Sequence, residues 1–196
     1  MIQGRRRFLI LGATALAAGL VCAVPVAASE SSTYPDLGQA PDFTLTNELG
    51  NAVSRSQFNG KVTVVNFMFT RCGDICPTLT SKLADIVDTL AVDHANDVQF
   101  LSISVDPEYD RPEILADYAA NFDYRSESWS FLTGDLTDVK KVARDYGVYM
   151  AASTSETVRH NLITSVIDRE GVIRIQYMGE RFDIDDLLMD IRNIAK

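Results

Sequence analysis

The 196-residue sequence predicts an α/β domain, in which a mixed central sheet is flanked by helices and extended by an N-terminal β-hairpin. Two largely apolar runs rich in β-branched residues, 61–69 and 98–105, are typical of strands buried on both faces. Helical periodicity follows each of these runs. The chain then closes with a second hairpin pattern and an amphipathic segment. Strands that alternate with helices predict one sheet covered by helices on both faces.

The remaining strands are predicted from alternation and turn residues. Residues 43–46 alternate apolar and polar side chains, and a polar turn follows them. Residues 52–54 are then predicted to run back beside 43–46 as the second strand of a hairpin. A short apolar run at 129–132 predicts one more strand. The last two strands, 162–167 and 172–178, are joined by a turn that ends in Gly171.

Four segments carry the helical spacing of apolar residues. The first, 77–91, starts with a proline, which suits the first helical turn, and its apolar face comprises Leu79, Leu83, Ile86, Val87 and Leu90. Further helices are predicted at 112–122, 135–146 and 183–195. The complete order of elements is thioredoxin-like, with the N-terminal hairpin added.

The first 28 residues predict an export segment. Residues 1–7 carry three arginines and no acid, and 8–28 contain no charged residue, which is the pattern of a secretory signal. The run from Arg5 to Leu9 resembles the twin-arginine export consensus. The segment is either cleaved near Ala28 or kept as a membrane anchor. Both outcomes predict a periplasmic domain, soluble or tethered to the outer face of the inner membrane.

Residues 29–40 are polar and aperiodic, so we predict a tether there and one domain over 41–196. Without residues 1–28 the chain keeps 15 basic and all 27 acidic side chains, a net charge of -12. This charge excludes nucleic acid as a partner and favours cations. Three cysteines are too few for a scaffold held together by disulfides.

The strongest functional signal is the loop Cys72-Gly73-Asp74-Ile75-Cys76-Pro77, between a buried strand and a helix. Open α/β folds place ligands and reactive groups at the carboxyl ends of strands. The N–H groups of the following helix favour thiolates. Two thiolates at this spacing can bind a soft cation such as Cu(I) or Zn, or form a disulfide. A purely stabilising disulfide is disfavoured, because so small a loop constrains the unfolded chain little.

A third metal donor has to come from one of two histidines. His94 lies in a polar loop after the first helix, at the end of the sheet away from the cysteines, and is predicted to be a solvated surface residue. His160 directly precedes a buried strand. In a thioredoxin-like sheet the loop before that strand packs beside the cysteine loop, so His160 is the candidate ligand.

Three motifs resemble those of the Sco/SenC family of copper-binding, thioredoxin-like proteins. They are the segments 67–77, 104–110, and His160 followed by 168–171, in order over about 41–196. The resemblance implies a monomer that binds copper, as Cu(I) or Cu(II), through Cys72, Cys76 and His160. It further implies copper delivery to the dinuclear copper site of cytochrome c oxidase, or reduction of the cysteines there. Oxidase subunit II is then the receiving partner, with other copper chaperones or thiol reductases as further partners.

The chain departs from the family pattern at two positions. Gly73 stands where the family commonly has proline, which should loosen the loop, and Arg71 stands where it commonly has an aromatic residue or histidine. Asp74 could tune the charge of the site, although a turn or cap role is favoured for it. Asp106, followed by proline, is predicted to form a turn at the end of a strand.

Two functions remain open from the sequence. One is a copper chaperone without turnover of its own. The other is a thiol–disulfide oxidoreductase, in which Cys72 attacks and Cys76 resolves the mixed disulfide. The three-residue spacing of the cysteines counts against the second function, and so does the absence of proline from Asp145 to Thr164.

Overall fold

The computed structural model describes residues 34–73, 75–94, 96–122, 127–151, 158–179 and 181–196. The predicted export segment and Asp74 lie outside these residues. The described strands are β1 (Thr44–Asn47), β2 (Ala52–Ser54), β3 (Val62–Met68), β4 (Val98–Ser104), β5 (Trp129–Thr133), β6 (Met150–Ala151), β7 (Arg159–His160), β8 (Ile163–Ile167) and β9 (Ile173–Met178). The helices are α1 (Ile75–Leu90), α2 (Pro112–Ala119), α3 (Leu136–Asp145) and α4 (Ile184–Ile194). Within the described ranges, no helix has both the length and the apolar character needed to cross a bilayer.

Seven strands form one mixed sheet in the order β2-β1-β5-β4-β3-β8-β9. The three central strands β3, β4 and β5 are parallel, and β8 and β9 continue the sheet in antiparallel fashion. The N-terminal hairpin of β1 and β2 pairs antiparallel with β5, so it widens the sheet on the opposite side. The predicted α/β fold with a mixed sheet and an N-terminal hairpin is confirmed. The pair β6 and β7 forms a separate two-stranded ribbon that the sequence pattern does not predict.

Two helix boundaries differ from the prediction by two residues or more. Helix α1 begins at Ile75, two residues before Pro77, so Cys76 lies in its first turn. A proline is tolerated there because the first N–H groups of a helix have no partner within the helix. The segment predicted as a helix over 112–122 is α-helical only to Ala119 and continues as a 3₁₀ turn to Phe122.

The chain is already attached to the sheet before residue 41. The N–H of Leu37 donates to the carbonyl of Ile173 at 3.0 Å, and the N–H of Ala40 donates to that of Gly171 at 2.8 Å. The Tyr34 hydroxyl donates to Asp190 on α4 at 2.8 Å. The last part of the predicted tether therefore belongs to the folded region. Backbone pairing at a sheet edge leaves no periodic signal in such a short polar segment.

The core lies on both faces of β3 and β4, which are buried at every position. Helix α1 covers one face with the apolar residues that its periodicity predicts: Leu79, Leu83, Ile86, Val87 and Leu90 are all buried.

We expect Leu83→Ala to lower the free energy of unfolding by about 2–5 kcal/mol, because it leaves a cavity under α1. The Leu83 side chain is 0% exposed, whereas Val92, just after the helix, is 88% exposed. Val92→Ala is the matched control and should change stability by no more than about 0.5 kcal/mol. Urea unfolding measures both variants, and equal losses would contradict this account of the core.

Candidate metal centre

The two cysteines of the loop lie at the carboxyl end of the parallel strands. Cys72 follows β3 and is half-buried, Cys76 is buried in the first turn of α1, and neither forms a disulfide. The N–H of Cys76 donates to the Sγ atom of Cys72 over 3.4 Å, and the N–H of Cys72 donates to the carbonyl of Phe69 over 3.3 Å. The N-terminal end of α1 therefore acts on the sulfur of Cys72.

The sequence predicts that the helix end favours thiolates, and for Cys76 this prediction is wrong. Burial raises the pKa of Cys76 to about 12, and the neighbouring Cys72 and Asp110 act in the same direction. Burial disfavours the charged form more than the helix end favours it. Cys76 is therefore a thiol at neutral pH in the metal-free protein, whereas the helical N–H stabilises negative charge on Cys72.

Both cysteines and His160 line one cavity of about 250 Å³. The predicted position of the histidine loop beside the cysteine loop is thereby confirmed. The rest of the lining is mainly apolar and comprises Phe69, Ile75, Val158, Arg159 and Leu162. In the part of the chain that the structure describes, no three His, Cys, Asp or Glu side chains are close enough together to hold a metal ion. A metal in this cavity would therefore have to draw its three donors inward.

His160 presents a neutral imidazole to the cavity. Its Nδ1 atom lies 3.0 Å from the carbonyl oxygen of Asn161. A carbonyl can only accept, so Nδ1 carries the proton and Nε2 keeps the lone pair that binds a metal. The ring packs edge-on against Phe69, with 5.9 Å between the ring centroids. Burial lowers the pKa of His160, which keeps the ring unprotonated at pH 7.

The ribbon of β6 and β7 holds His160 in place. Met150 of β6 lies opposite His160 in the antiparallel register. Asn161 extends the pairing, since its N–H donates to the carbonyl of Tyr149 at 3.4 Å and its side-chain amide donates to that of Gly147 at 3.3 Å. The histidine is thus anchored to the segment that follows α3. Strands of two residues are too short for periodicity to reveal.

His94 does not line the cysteine cavity. It lines a different cavity, of about 320 Å³, together with Val98 and Phe100 at the start of β4. The prediction of a solvated surface residue is wrong, because only 20% of its side chain is exposed and its Nδ1 lies 3.5 Å from Oδ2 of Asp97. The turn after α1 causes this burial: the N–H of His94 donates back to the carbonyl of Leu90 at 2.7 Å.

Asp110 joins the ends of the two central strands beneath the cysteine loop. It is 0% exposed, and its carboxylate accepts hydrogen bonds from the N–H and hydroxyl of Thr70 and from the hydroxyl of Ser104. Burial raises the pKa of Asp110, although these three donors oppose the shift. Asp110 is not among the site residues predicted from the sequence, where its only signal is its place at the end of the 104–110 motif.

Asp106 forms the predicted turn, because its carbonyl accepts from the N–H of Tyr109 at 3.0 Å. Its side chain has a further partner that the sequence did not reveal. One carboxylate oxygen accepts from Nη2 of Arg71 at 2.6 Å and from Nε at 3.1 Å. The same guanidinium lies over the Tyr109 ring, 4.3 Å from its centroid. The residue before Cys72 is thus bound to the loop that follows β4.

These features define a thioredoxin-like α/β domain with two cysteines on a strand-to-helix loop and a histidine that lines the same cavity. Residues 32–196 match the family model described as SCO1/SenC, and the chain belongs to this family. It is 30% identical over 157 residues to the SCO1 protein homolog of Bacillus subtilis, a match that covers 78% of this chain and 81% of the relative. Against a mitochondrial SCO1 homolog of Arabidopsis thaliana, the chain spans about half of the relative's length (47%).

Solved structures of the family share the fold. The structure of BsSco, described as a member of the Sco family of cytochrome c oxidase assembly proteins with a disulfide switch, superposes with a TM-score of 0.72 at 28% identity, covering 83% of this chain and 96% of that one. The copper-bound structure of Arabidopsis thaliana ScoI gives a TM-score of 0.70 at 31% identity, covering 80% of this chain and 98% of that one.

Proposed function

We propose that the protein is a copper metallochaperone that helps to assemble the dinuclear copper site of cytochrome c oxidase. Copper is its cargo, and Cys72, Cys76 and His160 are the ligands. The observation that carries this proposal is that these three side chains line one cavity. The copper-bound relative from Arabidopsis thaliana and the oxidase assembly role stated for the family of BsSco support it.

The donor set fits copper in both oxidation states. Thiolates are soft ligands that select Cu(I), and an imidazole also suits Cu(II). The apolar side chains of Phe69, Ile75, Val158 and Leu162 around the cavity limit the access of water to the metal. The Nδ1–H contact of His160 with the Asn161 carbonyl fixes the ring with Nε2 available, as is usual for histidine ligands.

The unequal burial of the two cysteines leaves the bound copper accessible from one side. Cys72 is half-buried and Cys76 is buried, so a thiolate of the receiving protein reaches the metal from the side of Cys72. As copper moves to the incoming ligands, Cys76 takes up a proton, because the pKa of its free thiol is about 12. Protonation of the buried sulfur then opposes rebinding and favours transfer. The proposed receiver is oxidase subunit II, and the predicted export segment would place the two proteins on the same side of the membrane.

A thiol–disulfide oxidoreductase remains the second candidate, and one observation favours it. The N–H of Cys76 points at the sulfur of Cys72, which suits Cys72 as the attacking thiolate. The buried Cys76 would then resolve the mixed disulfide. In this reaction the two electrons of the Cys72–Cys76 dithiol pass to the disulfide of the partner, which leaves as a dithiol.

Copper affinity should rise with pH. Across pH 6–8 the Cys76 thiol, with a pKa of about 12, is protonated in the metal-free protein, so each copper that binds displaces its proton. The apparent binding constant should therefore increase at least roughly tenfold per pH unit. Copper binding should weaken by the same factor for each unit that the pH falls. Competition with a Cu(I) chelator at pH 6, 7 and 8 measures this slope. A binding constant independent of pH would exclude Cys76 as a ligand.

Measurements on one protein preparation can distinguish the two candidate functions. We expect one copper per chain after loading with Cu(I) and desalting, transfer of that copper to the metal-free copper domain of subunit II, and slow reduction of a model disulfide substrate. The opposite result, rapid catalytic reduction with no copper retained, would establish the oxidoreductase instead.

A further inference from the structure

The loop that follows β4 binds the two residues that precede Cys72. Asp110 accepts from the backbone N–H and the hydroxyl of Thr70, and Asp106 accepts two hydrogen bonds from the guanidinium of Arg71. Tyr109 lies against the same guanidinium. Arg71 is thus held on two sides, by a carboxylate and by an aromatic ring.

We propose that Arg71 is a positioning residue that holds Cys72 in place against the N-terminus of α1. Its role is to keep the sulfur of Cys72 ready to bind copper before the metal arrives. The copper part of this inference rests on the proposed function, whereas the positioning of the loop does not.

The chemistry of the contact requires an arginine. Arg71 directs two N–H groups, Nε and Nη2, to a single oxygen of Asp106 and at the same time stacks on Tyr109. A planar guanidinium can do both at once, whereas a lysine retains only a point charge. The side chain of Asp106 is 11% exposed and that of Arg71 is 30% exposed, so solvent screens this pair less than a fully exposed one.

Gly73 explains why Cys72 needs to be held from its N-terminal side. A Cβ atom added at Gly73 would meet nothing within 4 Å, so packing does not fix this residue. Glycine also leaves the backbone more freedom than any other residue. On the other side, burial in α1 fixes Cys76. Cys72 itself donates its N–H to the carbonyl of Phe69 and packs partly against the core. The contacts of Arg71 add to this support on the N-terminal side, and the 3.4 Å contact between the Cys72 sulfur and the N–H of Cys76 depends on it.

A metal binds more tightly to a side chain that is already in position, because no conformational entropy of that side chain is lost on binding. Loss of such a supporting contact typically weakens a metal site by roughly 10- to 100-fold. We expect this loss for Arg71→Met, and a smaller one for Arg71→Lys, which keeps the charge opposite Asp106.

The experiment compares these variants with Arg111→Met. Arg111 lies just beyond the same loop, but it is 66% exposed and pairs with Glu113. The first measurement is amide hydrogen exchange of the metal-free protein at Cys72 and Gly73. It should be at least roughly tenfold faster in Arg71→Met and unchanged in Arg111→Met. The second is Cu(I) affinity by chelator competition, together with the Cu(II)–thiolate charge-transfer absorption.

A rescue distinguishes positioning from a general loss of stability. Gly73→Ala has room for the new methyl group and stiffens the backbone, so it should restore a large part of the copper affinity that Arg71→Met loses. Equal affinity of Arg71→Met and Arg111→Met would overturn the inference, and so would a loss that Gly73→Ala leaves untouched. If the unmodified protein binds no copper, the proposed function fails, and the exchange rates still decide whether Arg71 holds the loop.

Discussion

Replacement of Cys76 by serine is expected to abolish stable copper binding. A hydroxyl is a hard, poor ligand for Cu(I), and it takes the place of one of only two thiolates in the proposed site. The loss should exceed the roughly 10- to 100-fold effect that is typical of residues that merely support a metal ligand. Cys72→Ser should behave in the same way. Copper retained per chain after desalting, measured by atomic absorption, gives the result directly.

In protein prepared with residues 1–28 retained, Cys22→Ser is the matched control for this substitution. Cys22 lies in the predicted export segment, outside the proposed site, so its loss should leave the copper content at one per chain. Circular dichroism of each variant checks the fold, since Cys76 is 2% exposed and a serine there buries a hydroxyl. A folded Cys76→Ser protein that retains one tightly bound copper would contradict the assignment of the ligands.

His160→Ala is expected to weaken copper binding while the two thiols remain intact. Without the imidazole the site keeps two sulfur donors, so Cu(I) should still bind, though more weakly, whereas Cu(II) should lose most of its affinity. The absorption spectrum of the Cu(II) form should change for the same reason. Reduction of a model disulfide should be nearly unaffected, because that reaction depends on the cysteines alone.

The other histidine provides the comparison. His94 lines a different cavity and contacts Asp97, so His94→Ala should leave copper affinity and spectrum as they are. Identical copper binding by His160→Ala and the unmodified protein would exclude His160 as a ligand. A slower disulfide reduction in His160→Ala would instead indicate that the histidine serves the thiol chemistry.

Much of the fold could be predicted from the sequence because its signals are local. The apolar runs that became β3 and β4 lie in the centre of the sheet, where both faces are buried and apolar side chains predominate. The spacing of Leu79, Leu83 and Ile86 sufficed to predict the buried face of α1. The end of the predicted tether and the ribbon of β6 and β7 were missed, because short backbone pairings carry no such periodicity.

Only those residues of the candidate site whose side-chain chemistry is distinctive could be predicted from the sequence. Cysteine and histidine are scarce in this chain, so the cysteine motif and one histidine before a buried strand were sufficient to select Cys72, Cys76 and His160. The pair of Arg71 and Asp106 could not be found in this way. Its members are 35 positions apart in the chain, and each has an ordinary explanation by itself.

Burial is the quantity that sequence reasoning assigned least well. His94 was expected at the surface and is four-fifths buried, since its side chain is only 20% exposed. Cys76 was expected to favour the thiolate, yet its burial raises the thiol pKa to about 12. In both cases the sequence indicates the neighbours along the chain, whereas burial depends on contacts made by the whole fold.

X-ray absorption spectroscopy at the copper edge, on protein loaded with one Cu(I) per chain, tests the central claim most directly. The proposed ligands Cys72, Cys76 and His160 predict two sulfur scatterers and one nitrogen scatterer per copper, and the nitrogen scatterer should disappear in His160→Ala, which keeps both sulfur donors for Cu(I). A first shell of nitrogen and oxygen alone, or a nitrogen scatterer that persists unchanged in His160→Ala, would contradict this set of ligands.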